Sequence, residues 1–493
     1  MTLLLAGVTL VSAFGSSFQY GYNVSVINSP AVFMQEFYNH TYLDRKGIPM
    51  ESSFQTLLWS LTVSMYPLGG FFGSLMVGPL VNKCGRKGTL LINNIFSIVP
   101  AILMGTSKVA KTFEAIILSR IIVGVCAGLS SNVVPMYLGE MSPKNLRGAV
   151  GVVPQLFITI GILIAQILGL TDILGNVEGW PVLLGLTGIP AVVELLLLPF
   201  FPESPRYLLI QKGNEEQARQ ALKRLRGWDD VDDEIEEMRR EDQSEKLEGR
   251  LSVFNLFTFR ALRWQLISII VMMMGQQLSG INALTAPVQF LLSGLGVLGS
   301  LGAHFLTFLC CLPQVFIIES LGRRLLLLAG FGICCVSSAV LTVALNLQAT
   351  VSWMQYLSIA CVIVYIIGHA IGASPIPSVM ITEMFLQSSR PAAFMVGGSV
   401  HWLCNFTVGL VFLYMEGLGA YCFLVFCAIC LATVIYIFII VPETKGKTFM
   451  EINQSMAKRN KVEIQMDKEK LNDFQPAFET LQKNEEGYSI TGL

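Results

Sequence analysis

The chain has 493 residues, 53% of them hydrophobic and only 14% charged, with a formal net charge of -1 and a mean hydropathy of +0.61. Soluble globular proteins carry about 25% charged residues. This composition therefore excludes a soluble domain, and its long recurring apolar runs describe a polytopic membrane protein. The balanced charge, with no basic patch carrying interleaved aromatics, gives no reason to expect a nucleic-acid partner.

In chain order, windows of about 20 residues predict about twelve spans, near 4–28, 54–78, 89–106, 114–138, 149–170, 180–200, 264–292, 297–318, 325–346, 354–382, 392–414 and 417–441. The first run begins almost at Met1 and has no basic flank, so it reads as a retained span and not a cleaved signal. The division is a first six-helix bundle (1–202), a helical linker (203–263), a second six-helix bundle (264–441) and a tail (442–493). The linker has helical composition over Asn214–Leu225 and Asp229–Glu248, and the tail is expected to be disordered beyond Asn460. Glycines such as Gly69, Gly70, Gly73, Gly397 and Gly398 suit closely packed membrane helices. The eleven cysteines lie mostly in apolar runs and show no metal-ligand spacing.

Lys and Arg concentrate in the loops holding Lys83, Arg86, Lys87, Lys144, Arg147, Arg323, Arg324 and Arg390, and in both long polar segments. The positive-inside rule then makes both termini cytoplasmic. Asn39-His40-Thr41, a glycosylation acceptor, falls in the largest loop on the other side, 29–53. The acceptor patterns at Asn23 and Asn405 lie within spans and read as chance.

Three signatures occur twice, in the same order. Gly85-Arg86-Lys87 answers Gly322-Arg323-Arg324. Glu140, seven residues before Arg147, answers Glu383, seven before Arg390. Pro202-Glu203-Ser204-Pro205-Arg206 answers Pro442-Glu443-Thr444-Lys445-Gly446. This is the pattern of two fused six-span halves. Acids and bases repeated at corresponding helix ends predict a latch across the interface of the halves. Placed at the water boundary, each pair would contribute about 0–1 kcal/mol, and several together could bias a two-state equilibrium.

Inside the seventh span, Gln276, Gln277, Ser279 and Asn282 interrupt apolar helix. Unsatisfied amides in hydrocarbon cost several kcal/mol, so these residues need a cavity, water or a polar ligand. Amides donate and accept at once, which suits uncharged hydroxyls better than ions.

Together these signatures resemble the major facilitator superfamily and, within it, the facilitative hexose transporters of animals, with the fructose-carrying members most alike. Phe18 to Asn23, Ser131 to Tyr137 and His401 to Phe406 carry the finer likeness. The resemblance implies an all-α, twelve-span membrane protein in the plasma membrane with D-fructose as the favoured solute. It implies a sugar site at Tyr20, Gln155, Gln276, Gln277, Asn282, His369, Ser374, His401 and Trp402, and a cytoplasmic gate at Arg86, Glu140, Arg147, Glu203, Arg206, Arg323, Glu383, Arg390 and Glu443. Glucose-selective members carry Gln-Leu-Ser where this chain has Met273-Met274-Gly275, and a Trp where it has Ser378. Gly372 to Pro377 breaks the tenth span, as a hinge or a static kink. After Asn282 the chain departs from the family: Leu284-Thr285-Ala286-Pro287 stands where gate aromatics are usual, and the stretch 284–318 is atypical. A divergent outer gate and a coding segment wrongly included or omitted both remain open.

No nucleophile, metal or phosphate-binding constellation appears, so neither an enzyme nor a cofactor is expected. Asn23 stands where proton-coupled relatives place Asp, which favours an uncoupled carrier. Glu194 in the sixth span is the remaining candidate for proton coupling, though its place near the span's end would let it reach the interface. A non-transporting sugar sensor is the third reading.

Overall fold

The computed structural model describes residues 1–248, 252–282, 284 and 297–461. All regular structure among these is helical. Ten helical stretches are long and apolar enough to cross a membrane. One of them, Ser52–Thr106, comprises two spans joined at Gly85. The helix carrying the double glutamine, Arg263–Leu278, is not among the ten. Of its predicted continuation to 292, residues 283 and 285–292 lie outside the described residues, as do the segment Thr285–Pro287 and the tail beyond 461.

Glycine sets the closest helix approaches. A Cβ on Gly69 or Gly124 would enter the backbone of the other's helix, and Gly73 faces the Val125 carbonyl in the same way. Spans two and four thus pack backbone to backbone. Small side chains permit this in lipid, where helix association depends on close contact. Gly398 is crowded by the Asn132 side chain of the opposite half.

The repeated Gly-Arg signature has a specific backbone reason. Gly85 (φ 77°, ψ 178°) and Gly322 (φ 84°, ψ 171°) occupy a region essentially open to glycine alone. Each turns the chain between two spans. The next helix starts with free N–H groups, and a carboxylate caps them: Glu203 accepts from Lys87 N (3.1 Å). Glu443 accepts from Arg323 N (3.0 Å) and Arg324 N (3.2 Å). An anion at a helix N-terminus is favoured by both hydrogen bonding and the helix dipole.

The linker folds into helices Glu215–Arg226 and Asp232–Glu248, and the tail forms Phe449–Arg459. The N-terminus joins the same end of the bundle, since Thr2 donates to the Leu225 carbonyl at 2.5 Å. The loop predicted at 29–53 contains a helix, Ala31–Lys46, ended by Gly47 in the left-handed conformation.

Candidate functional site

Between the two halves lies a cavity. The first half lines it with Ser17, Tyr20, Ser130, Ser131, Asn132 and Gln155, and the second with Met273, Gln276, Ser374, Ser378 and His401. None of its lining residues carries a formal charge at neutral pH. Two spans change pitch beside it. Ala13–Phe18 in the first span and His369–Ala373 in the tenth are π-helical, an irregularity that frees backbone groups and is frequent at functional sites. Gln314 Nε2 donates to Ile371 O, one of the carbonyls in the tenth-span bulge.

The nine expected site residues separate into two groups. Tyr20, Gln155, Gln276, Ser374 and His401 line the cavity. Gln277, His369, Trp402 and Asn282 do not. Gln277 supports the wall: it meets His401 Nδ1 at 3.2 Å, and its Oε1 accepts from Asn405 Nδ2 at 3.0 Å. His401 Nδ1 also lies 3.0 Å from Gln276 Oε1, while its Nε2 is buried with no protein partner. His369 stacks on Tyr365. Trp402 packs edge-on against Tyr20 and Tyr66, with ring centroids 5.4 and 5.8 Å away, and a Cβ on Gly70 would enter its ring. Trp402 therefore braces Tyr20 from behind. Asn282 is exposed. Sequence reasoning missed Ser17, Ser130, Ser131 and Asn132 as lining residues. The run Ser130-Ser131-Asn132 inside an apolar helix was the available signal, because polar groups there need partners just as the glutamines do.

Glu194 does not reach the interface as expected. It is fully buried between the first and sixth spans, where Ser16 Oγ donates to it at 2.8 Å, and it is not part of the cavity lining. Arg120 holds helices together: it donates to Asn23 O (2.9 Å) and Thr62 O (3.3 Å) and lies over the Tyr66 ring.

At the end that carries both termini, the repeated acids and bases converge. Glu140 meets Arg86 at 3.0 Å within its own half and Arg390 of the other half at 2.7 Å, and Ser204 Oγ donates to it at 2.5 Å. Glu383 meets Arg323 at 2.9 Å and accepts from Thr444 Oγ1. Glu319 spans the interface by accepting from Ala149 N at 3.0 Å. Two expectations need correction. The pairs are not at the water boundary, because the Arg86, Glu140 and Arg390 side chains are 0% exposed. Desolvation then makes an unpaired member far costlier than at a surface. The second correction is that Arg147 makes no ion pair among the described residues. It donates to Lys447 O at 3.4 Å and lies over the Phe449 ring. Arg206 pairs within the linker, with Glu237 at 3.0 Å and with Glu241. Burial holds the Glu203 carboxyl above the usual carboxylate range.

Residues 8–456 match the family described as sugar (and other) transporter. The chain belongs to the sugar transporter family. Its relatives include human solute carrier family 2, facilitated glucose transporter member 5, at 65% identity over 486 residues and 97% of each chain. Member 7 from Mus musculus is 58% identical, covering 95% of this chain and 92% of its own. Among solved structures, the proton:xylose symporter XylE bound to 6-bromo-6-deoxy-D-glucose superposes with a TM-score of 0.80 at 22% identity, over 92% of this chain and 99% of that one. That likeness identifies the major facilitator fold, with twelve spans. The family is one of carriers, not enzymes, and in this sugar transporter Gln276 and the Glu140–Arg390 pair sit at the interface of the halves.

Proposed function

We propose that the chain is an uncoupled hexose carrier working by alternating access, with D-fructose as its favoured solute. The observation that carries this is the cavity lining: neutral hydrogen-bonding groups from both halves, Gln155 on one side and Gln276 on the other, and no carboxylate among the described residues. Such a lining matches a solute with many hydroxyls and no charge. Transport also needs weak binding, and millimolar affinity corresponds to about -4 kcal/mol. Met273 and Ser378, the two departures from the glucose-selective pattern, both border the cavity, which supports fructose over glucose. The expected sugar-contacting set keeps Tyr20, Gln155, Gln276, Ser374 and His401 at the solute, with Gln277, His369 and Trp402 positioning them.

The latch end is read as cytoplasmic from its Lys and Arg, with both termini inside the cell, and the likeness to facilitative hexose carriers supports a plasma-membrane location. Asn39 then lies outside as a glycan acceptor, with its Oδ1 held by Met50 N at 3.2 Å. Loss of a glycosidase-sensitive mobility shift in Asn39→Gln would support that orientation.

Labelled fructose and glucose uptake into proteoliposomes, in competition, tests the main reading. Saturable fructose uptake indifferent to a protonophore is expected; sugar binding without flux would instead identify a sensor. Gln155→Glu is expected to alter hexose preference, because a carboxylate loses the amide's donor. The proton-coupled alternative requires substrate-induced alkalinisation that Glu194→Gln abolishes.

A further inference from the structure

Phe449 is 1% exposed, and three guanidinium groups lie against its ring. Arg147 is 3.7 Å from the centroid, Arg390 4.4 Å and Arg206 4.5 Å. They come from three parts of the molecule: the start of the fifth span, the start of the eleventh, and the linker. Arg206 and Arg390 have carboxylate partners. Arg147 makes no ion pair among the described residues, and its Nε is buried without a partner. Burying a charge without compensation is costly. The negative face of an aromatic ring attracts cations, and more strongly where water is excluded. Here that face lies where the unpaired guanidinium needs it.

The ring is held from behind by the second half. Thr448 and Glu451 form a reciprocal capping box that starts the helix Phe449–Arg459. Asn453 Oδ1 accepts from Gln265 Nε2 at 2.9 Å, and Asn460 Oδ1 accepts from Trp264 N at 3.2 Å. The tail helix is thus bound to the start of the seventh span. Its first residue reaches the arginines of the first half and of the linker.

We infer that Phe449 is a positioning residue of the latch: its ring is the common surface on which guanidinium groups from both halves and the linker are held. Opening toward the end that carries the termini requires Arg147 and Arg206 to leave that ring. The inference rests on the alternating-access reading for its consequence, but its test needs no sugar, so failure of either is distinguishable.

The test uses the full chain with spin labels at Lys144 and Leu321, which lie on opposite halves at the latch end, in a background with its reactive cysteines replaced. Phenylalanine at 449 is replaced by a graded series of fluorinated phenylalanines, which empty the ring face of negative charge at nearly constant shape. The ratio of long to short label separations is expected to rise stepwise along the series. For Phe449→Leu it should rise about tenfold (about 1.4 kcal/mol), while Phe449→Tyr should stay near the parent. Where Phe449→Leu destabilises the fold, the fluorinated series still decides. Unchanged distances across the series, or a Tyr variant as open as the Leu variant, would overturn the inference and leave Phe449 as a packing residue.

Discussion

In the first half, Gly85 turns the chain, Glu203 caps the new helix, and Arg86, Glu140 and Ser204 close a buried cluster. In the second, Gly322, Glu443, Arg323, Glu383 and Thr444 repeat it residue for residue. The repeats differ in how they cross to each other. Glu140 accepts an arginine from the opposite half. Glu383 does not; its place beside the crossing arginine is taken by an aromatic ring from the tail. Duplication thus preserved the turn and its cap, while the crossing contacts diverged. Symmetry of sequence signatures does not imply equal shares in holding the end shut, and the larger ionic share falls on Glu140.

Removing carboxylates one at a time is the strongest way to break this comparison. Glu140→Ala strands Arg86 and Arg390, both fully buried, and is expected to destabilise the chain by about 3–5 kcal/mol. Glu383→Ala leaves Arg323 with Glu319 at 3.1 Å, so a loss of about 2 kcal/mol is expected. Unfolding midpoints in detergent would rank the two; equal losses would refute the asymmetry. Removing the crossing cations is gentler. Arg390→Ala leaves Glu140 paired with Arg86 and should cost about 2 kcal/mol. Arg147→Ala, which forfeits a ring contact, should cost about 1 kcal/mol. Both should raise the open population at the latch end, Arg390→Ala more, as read by cysteine-probe accessibility there.

Much of this was legible in sequence because lipid imposes strict rules. Apolar length marked the spans, and the paired signatures marked the two halves before any contact was known. Gln276 was legible because an amide in hydrocarbon must have a reason, and Gln155 through the family resemblance. The second partners were not. Ser204 and Thr444 belong to the repeated signatures, but nothing in the sequence says that each supplies a hydroxyl to a buried carboxylate from another element. Nothing in the sequence marked Phe449; only folding brings the arginines around it. Trp402 and His369 were assigned to the solute through the family resemblance. The same rings also fill space, and sequence alone does not say which face of a helix a side chain takes.

The smallest effect concerns the linker helix Asp232–Glu248, which also reaches the second half's loop after Glu383. Glu241 accepts from Gln387 N at 2.9 Å and Glu245 from Ser388 N at 2.8 Å. Burial, and then the neighbouring Glu241 charge, pushes the Glu245 carboxyl up to about 8. Released into water it would return to the ordinary carboxylate value. Its folded value is the higher one, so the docked form holds the proton. Docking is strongest below the ordinary carboxylate range and weakens as pH rises through about 8. Hydrogen exchange at the 386–389 amides, corrected for intrinsic rate, should therefore quicken between about pH 6 and pH 8.5 in the parent. In Glu245→Gln, which is neutral throughout, it should stay flat. A parent slope that survives this substitution would assign the proton to another group.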